Sequence, residues 1–168
     1  MSNYTFEVPT WTPVAVADAA AFSNAGHMTL QGGTTTQRNK IKKVFIGGLA
    51  TASAPIIMML ARDSTVGVGL TALASPNSNA GAPAAAIAPT AVGFVAIATT
   101  QPQRSNSVTL SKLGLYPFNA WGGIAREEWA PGEEPDIVGN TASLGEASLS
   151  AFTGTVGLLG SSITYEQV

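Results

Sequence analysis

The 168-residue sequence has no cysteine and only one histidine, His27. The absence of cysteine excludes disulfides, thiolate metal sites and cysteine nucleophiles. One histidine cannot supply the several Cys or His ligands of a zinc site, and a serine triad would have to use that same histidine. The sequence also has no Gly-x-Ser-x-Gly nucleophile elbow. We therefore predict a protein that is not an enzyme and that binds no cofactor, metal or small-molecule substrate.

Charged side chains are scarce as well. Asp, Glu, Lys and Arg make up 11% of the residues, less than half of the usual quarter, and the formal net charge is −2. No strong field of one sign exists to attract nucleic acid or an anionic membrane, so we expect neither as a partner. A monomer with so few charges is prone to self-association. This favours a protein whose surface is used for contacts, with a soluble domain covered by Thr and Ser as the alternative.

Long apolar runs are missing too. The longest strongly apolar run, 56–61, is far shorter than the roughly 18 residues needed to cross a bilayer. Residues 1–7 lack the basic end and the apolar stretch of a signal peptide. We expect neither a membrane span nor a signal peptide, and the length favours one domain.

The residues that are present predict strands. The apolar run 56–60 is short and bounded by Pro55 and Asp63, which predicts a strand buried on both faces, with Ile57 and Leu60 in the core. Turn signals recur at the spacing of sandwiches and jelly rolls, and no convincing amphipathic helix appears. We predict an all-β, antiparallel, jelly-roll-like β-sandwich over 39–168. The expected strands are 27–30, 40–46, 55–63, 65–74, 91–100, 107–116, 123–129, 147–152, 156–159 and 161–166, with a loop at 75–90 and turns at 101–106 and 130–135.

Residues 1–38 are predicted to form an extended N-terminal arm. Tyr4 and Phe6 alternate with polar residues as in a strand, and prolines on both sides of Trp11 exclude a helix interior. An arm of this kind could reach a neighbouring subunit. Tyr4, Phe6 and Trp11 are therefore candidate partner-binding residues.

Two small clusters of opposite charge are further candidates. The basic cluster contains Lys42 and Lys43, which strand alternation would place on opposite faces, and the acidic cluster contains Glu133 and Glu134. The acidic cluster lacks the residue spacing of a calcium loop. The two clusters could meet across an interface between copies, and solvated surface charge is the alternative.

Trp121 is the last candidate for partner binding. Exposed aromatic side chains anchor interfaces or stack on sugars, and buried ones belong to a core. The sequence leaves these alternatives open. Loss of glycan binding in a Trp121→Ala variant would favour a carbohydrate-binding module.

Four segments resemble parts of small proteins encoded in the structural modules of tailed bacteriophages. Residues 43–53 read as a strand that ends in Gly-Gly and continues as Ala-Thr-Ala-Ser, and 58–67 read as an apolar strand that ends in Arg before a Thr/Gly-rich turn. Residues 128–135 resemble a Trp-Ala-Pro-Pro-Gly-Glu turn. Residues 162–166 resemble a closing strand that ends in an aromatic residue and Glu.

The resemblance implies a structural virion protein that decorates or cements a bacteriophage capsid by binding between shell subunits. It implies contacts with the major capsid protein and with other copies of the chain, as a homotrimer. It also implies a location on the capsid surface of the virion, after assembly in the host cytoplasm. The alternative is a receptor- or carbohydrate-binding β-sandwich module of a phage tail or fibre.

Overall fold

The computed structural model describes residues 3–17, 26–32, 36, 38–68, 71–77, 90–93, 103–104, 112–139 and 145–168. These ranges contain strands and no helix, so none of their residues belongs to a helix able to cross a membrane. The strands are β1 (Asn3–Trp11), β2 (His27–Gln31), β3 (Arg38–Gly48), β4 (Pro55–Thr65), β5 (Thr71–Ala72), β6 (Thr90–Gly93), β7 (Gln103–Arg104), β8 (Lys112–Asn119), β9 (Ile124–Glu128), β10 (Asp136–Val138), β11 (Glu146–Gly154) and β12 (Leu159–Gln167).

The strands form two antiparallel sheets in a sandwich-like arrangement, which confirms the predicted fold class. Sheet A has the order β1-β12-β3-β10, and β9 also pairs with β3. Sheet B has the order β5-β6-β2-β11-β4-β7, and β8 also pairs with β4. This strand order is compatible with the predicted jelly-roll-like character.

The inner faces of the two sheets share one apolar core. On the longer strands β1, β3, β4, β11 and β12, alternate residues point inwards between the bulges, as the two-residue period of a strand requires. The largest fully buried apolar side chains in this core are Phe6, Met28, Leu30, Ile41, Ile46, Met58, Leu60, Ile137, Leu149 and Tyr165.

Strand β4 confirms the prediction of a strand buried on both faces. Met58 and Leu60 point into the core, and Met59, on the opposite face, is also buried. Ile57 was expected in the core together with Leu60, and this expectation is wrong, because Ile57 is only half-buried. Residues of odd and even number in a strand lie on opposite faces, and the continuous apolar run does not reveal which face is the inner one.

The N-terminal segment is a strand of the sandwich in this structure, not a separate arm. β1 pairs antiparallel with β12, from Asn3 opposite Glu166 to Val8 opposite Ser161. Its inward side chains pack in the common core, where Tyr4 stacks on Tyr165 with 5.6 Å between ring centroids. Residues 18–25 of the expected arm lie outside the described residues.

Several predicted boundaries differ from the structure. Pro117 was expected to end a strand, but it lies inside β8, opposite Ile57 of β4. Among the described residues β8 pairs only with β4, and proline is tolerated in such an edge strand because one side has no ladder to complete. Residues 103–104 were expected in a turn and form β7, residues 156–158 precede β12 rather than belong to a strand, and β10 was not predicted.

Other predictions fall partly on residues that are not described. The expected strands at 65–74, 91–100 and 107–116 contain β5, most of β6 and the first part of β8, respectively. Most of the predicted loop at 75–90 lies outside the described residues.

Candidate functional site

Three of the predicted partner-binding residues lie in the core. Tyr4, Phe6 and Trp11 are all buried. The indole Nε1 of Trp11 donates a hydrogen bond to Ser161 Oγ at 2.8 Å. A partner cannot reach these side chains while the sandwich is intact, so their role in this structure is to hold β1 on sheet A. The alternation that marked them as a strand is correct, but it cannot distinguish an arm from a core strand.

Lys42 and Glu134 meet within one chain. Lys42 Nζ donates to Glu134 Oε1 at 2.5 Å and lies 2.7 Å from Glu166 Oε2. The hydrogen bond from Lys42 lowers the pKa of Glu134 to about 2, and the bonds with Glu134 and Glu166 raise the pKa of Lys42. The Glu134 side chain is only 2% exposed. This pair therefore joins β3 to the turn before β10 and leaves little charge for a neighbouring copy.

The other two residues of the clusters, Lys43 and Glu133, lie on the surface of the sandwich. Lys43 lies opposite Glu128 of β9, and Glu133 is exposed in the turn that follows. A bulge in the pairing of β3 with β12 falls between Lys43 and Ile41. Ile41 and Val44 are buried while Lys42 and Lys43 are partly exposed, so the bulge brings both lysines to the outer side. The expectation of opposite faces is wrong because regular alternation cannot include a bulge.

Trp121 is exposed, with 62% of its surface accessible. It lies in what we call the apolar tip, formed by the loops 49–54, 120–123 and 155–158 and the adjoining Ile124. Large apolar side chains of the tip are between 41% and 69% exposed: Leu49, Trp121, Ile124, Val156 and Leu158. Sequence reasoning selected Trp121 by residue type and missed the four aliphatic residues, because two separate loops and the start of β9 supply them.

Backbone hydrogen bonds join the three loops of the apolar tip. Leu49 N donates to Leu158 O at 2.8 Å, and Ala50 N donates to Ala120 O at 2.9 Å. The Asn119 side chain accepts from the Trp121 backbone N at 3.0 Å and also bonds Ser53 and Ala54. The exposed apolar residues are therefore held on a connected frame.

Glycine makes this frame possible. A Cβ atom on Gly48 would lie 2.2 Å from Ala120 O, so only glycine allows β3 and the 120–123 loop to approach this closely. Gly122, directly after Trp121, has a φ of 73°, in the region that favours glycine. The Gly-Gly that ends the predicted strand 40–46 thus positions the tip.

The apolar tip carries no charge. The segments 47–57, 119–124 and 153–165, which contain the tip and its supports, include no Asp, Glu, Lys or Arg. Contiguous exposed apolar surface on a soluble protein marks an interaction site, and the centres of interfaces are depleted in charge and enriched in aromatic residues. The tip is the surface in the described part of the chain that best fits this description.

A groove of about 450 Å³ adjoins the tip on the outer face of sheet A. Its floor is the cross-strand pair Gly47 and Gly160. The apolar residues that line it are Val8, Pro9, Phe45, Leu49 and Ile124, and the polar residues are Glu7, Ser161 and Ser162. The side chains of Val8 and Ser161 point into the core, so these two residues contribute backbone. Trp121 does not line this groove.

A buried polar group on the outer face of sheet B was missed by sequence reasoning. Glu146 and Asp63 are buried, Glu146 Oε2 accepts from Gly67 N at 3.0 Å, and Ser148 Oγ donates to Asp63 Oδ2. Burial raises the pKa of Glu146 to about 7, against the opposing effects of Asp63 and Gly67. The two acids are far apart in the sequence, and no local pattern pairs them.

Within the described ranges, no group of three or more His, Cys, Asp or Glu side chains is placed to hold a metal ion. His27 is buried in β2, opposite Ser150 of β11.

No family model, curated protein or solved structure matches this chain.

Proposed function

We propose that this protein is a structural protein of a bacteriophage virion, which decorates or cements the capsid by binding between shell subunits. The observation that supports this most is the apolar tip, a connected and uncharged surface with five exposed large apolar side chains. Such a surface fits a protein that acts through contacts rather than through a reaction.

The physical properties of the tip suit assembly. A surface that is already ordered loses little conformational freedom on binding, so more of its contact energy appears as affinity. Tryptophan at the centre of an apolar patch is a frequent hot spot of binding energy. In a shell, many such contacts act together, and their combined strength exceeds that of each contact alone.

The resemblance to phage structural proteins includes this region. The segment 43–53 runs from β3 into the first loop of the tip, and the segment 128–135 forms the turn that carries Glu134. In our proposal the major capsid protein and other copies of this chain, as a homotrimer, are the partners. The mature location is the capsid surface, after assembly in the host cytoplasm.

A receptor- or carbohydrate-binding module of a phage tail or fibre is the second candidate. The exposed indole of Trp121 favours it, because sugars stack on accessible aromatic rings. Sugar recognition also needs hydrogen-bonding side chains beside the ring. The amide of Asn119, two residues before Trp121, is engaged by Ser53, Ala54 and the Trp121 backbone, so we place this function second.

Immunogold electron microscopy tests the proposal. Antibodies raised against the purified chain are applied to purified virions of the phage that encodes it, with pre-immune serum as the control. Gold on the capsid heads is the expected result. Gold confined to the tails or fibres would favour the second candidate, and particles without gold would refute both.

A further inference from the structure

We infer that the apolar tip joins two copies of this chain, with Trp121 of one copy inserted into the groove beside the tip of another. This inference rests on the proposed function and names the contact through which the copies would associate. The charged clusters were the earlier candidates for a contact between copies, but Lys42 and Glu134 pair within one chain. The inferred contact therefore uses the apolar tip instead.

Trp121 has the properties of an inserting side chain. Its indole is exposed, while its backbone N is bonded to Asn119 Oδ1 at 3.0 Å. The following Gly122 permits the positive φ of the turn that presents the ring, and the hydrogen bond from Gly123 N to Asn119 O at 2.9 Å closes this turn. Little backbone freedom remains to be lost when the ring enters a partner.

The groove has the size and the shape to receive an indole ring. Its volume of about 450 Å³ lies within the roughly 300–1,000 Å³ of pockets that hold small ligands. The glycine pair at its floor, Gly47 and Gly160, leaves the outer face of sheet A without side chains at this point. Phe45 and Ile124 line it as neighbours of this pair, so an aromatic ring would contact apolar groups.

The polar groups of the groove also match an indole. A buried indole N–H needs an acceptor. Glu7 and Ser162 line the groove and lie opposite each other on β1 and β12. Either side chain offers an oxygen that can accept this hydrogen bond.

Two observations favour a second copy as the occupant. Trp121 does not line its own groove, so each chain presents one ring and one groove that it does not fill itself. Glu7 is the one charged residue among the residues of the tip and of the groove, so two tips can approach without repulsion between like charges. The contact is compatible with a mutual pair or with a closed ring of copies.

Light scattering on the purified chain over a range of concentrations measures this association. The wild type is expected to have a mass that is a multiple of the 17.1 kDa chain. Trp121→Ala removes the ring, and Gly47→Leu fills the groove. A Cβ on Gly47 would meet only Phe45 ring atoms, at 3.4 and 3.6 Å, so the substitution does not require the backbone to move. Each variant is expected to raise the dissociation constant roughly 30-fold or more, as for a hot-spot residue.

Mixing the two variants gives a sharper test. Trp121→Ala keeps an open groove and Gly47→Leu keeps the ring, so the mixture is expected to form a one-to-one complex although each variant alone is monomeric. Leu115→Ala is the matched control, because Leu115 is 57% exposed on β8 and lines neither the tip nor the groove. Thermal melting of every variant shows whether it is folded.

The outcomes separate this inference from the proposed function. A wild type that is monomeric at all concentrations, or an oligomer unchanged by both substitutions, would overturn the inference, and gold on capsid heads would still support the function. Failure of the mixed variants to associate would also overturn it. Loss of glycan binding in Trp121→Ala with no change in mass would assign the ring to sugar instead. Oligomers that depend on Trp121, found together with virions that bind no gold, would support the contact between copies and refute the proposed function.

Discussion

Replacing Glu146 by Gln should stabilise the protein at pH 8 and remove the contribution of this acid to the pH dependence of unfolding between pH 5 and 8. Glu146 is buried beside Asp63, and burial raises its pKa to about 7. An acid whose pKa is higher in the folded state than in the unfolded state binds its proton more tightly when folded. The folded protein therefore keeps, between pH 4.5 and 7, a proton that the unfolded chain has lost.

The magnitude follows from the size of this pKa difference. The contribution of Glu146 to the free energy of unfolding is greatest below pH 4.5 and falls as the pH rises to about 7. At about 1.36 kcal/mol per pKa unit, the difference between the folded and unfolded pKa values corresponds to a fall of up to about 3 kcal/mol. Glutamine has nearly the shape of the protonated acid and does not ionise. Its carbonyl can still accept from Gly67 N, and its amide can donate to Asp63.

Urea unfolding of the wild type and of Glu146→Gln at pH 5, 6, 7 and 8 measures the effect. The wild type is expected to lose more stability along this series than the variant does, and the buried His27 contributes equally to both. Glu133→Gln is the matched control, because it makes the same chemical change at an exposed position of a turn. Parallel curves for the wild type and Glu146→Gln would show that the buried acid pair does not control stability in this range.

Three further predictions concern the ion pair, the tip and the core. Lys42→Met should raise the midpoint of acid unfolding. Lys42 lowers the pKa of Glu134 to about 2, so this pair stabilises the fold above pH 4.5. The stabilisation is lost as the pH falls from 4.5 to 2. An unchanged midpoint of acid unfolding, measured by circular dichroism, would contradict this prediction. Gly48→Ala should lower the free energy of unfolding by about 1–3 kcal/mol, because its Cβ would collide with the backbone of Ala120. Gly47→Ala is the control and should be close to neutral, because its Cβ would meet only the Phe45 ring. Equal effects of the two substitutions in thermal or urea unfolding would refute the packing of the tip. Leu60→Asp should abolish folding by burying an unpaired charge, and soluble protein with a native spectrum would contradict the position of β4 in the core.

Much of the fold could be predicted because strands leave local patterns. Five apolar residues between Pro55 and Asp63 indicated β4, and the alternation around Phe6 indicated β1. The position of each strand in a sheet could not be predicted in this way. A strand on an arm and a strand in a core have the same period, so Phe6 was assigned to the arm although pairing with β12 buries it.

The candidate site was harder to predict because it depends on contacts between distant residues. Of the three tryptophans, Trp11 and Trp121 were candidates for partner binding, and the structure buries Trp11, packs Trp129 against the core and exposes Trp121. The partners of Lys42 are likewise set by the bulge in β3 and by the turn before β10. Residue type suggested which side chains are suited to binding, and sheet pairing decided which are accessible.

The central place of β12 has a consequence for the order in which the chain acquires its structure. β12 lies between β1 and β3, so sheet A is divided in the middle until a strand synthesised after all the other described strands arrives. During synthesis on the ribosome, β1 lacks β12, the one strand with which it pairs among the described residues, and has only a short backbone bridge to 76–77. Pairing between such distant segments is slow. The time between the synthesis of β1 and of β12 is therefore a period in which chaperones or neighbouring chains can bind the exposed strand.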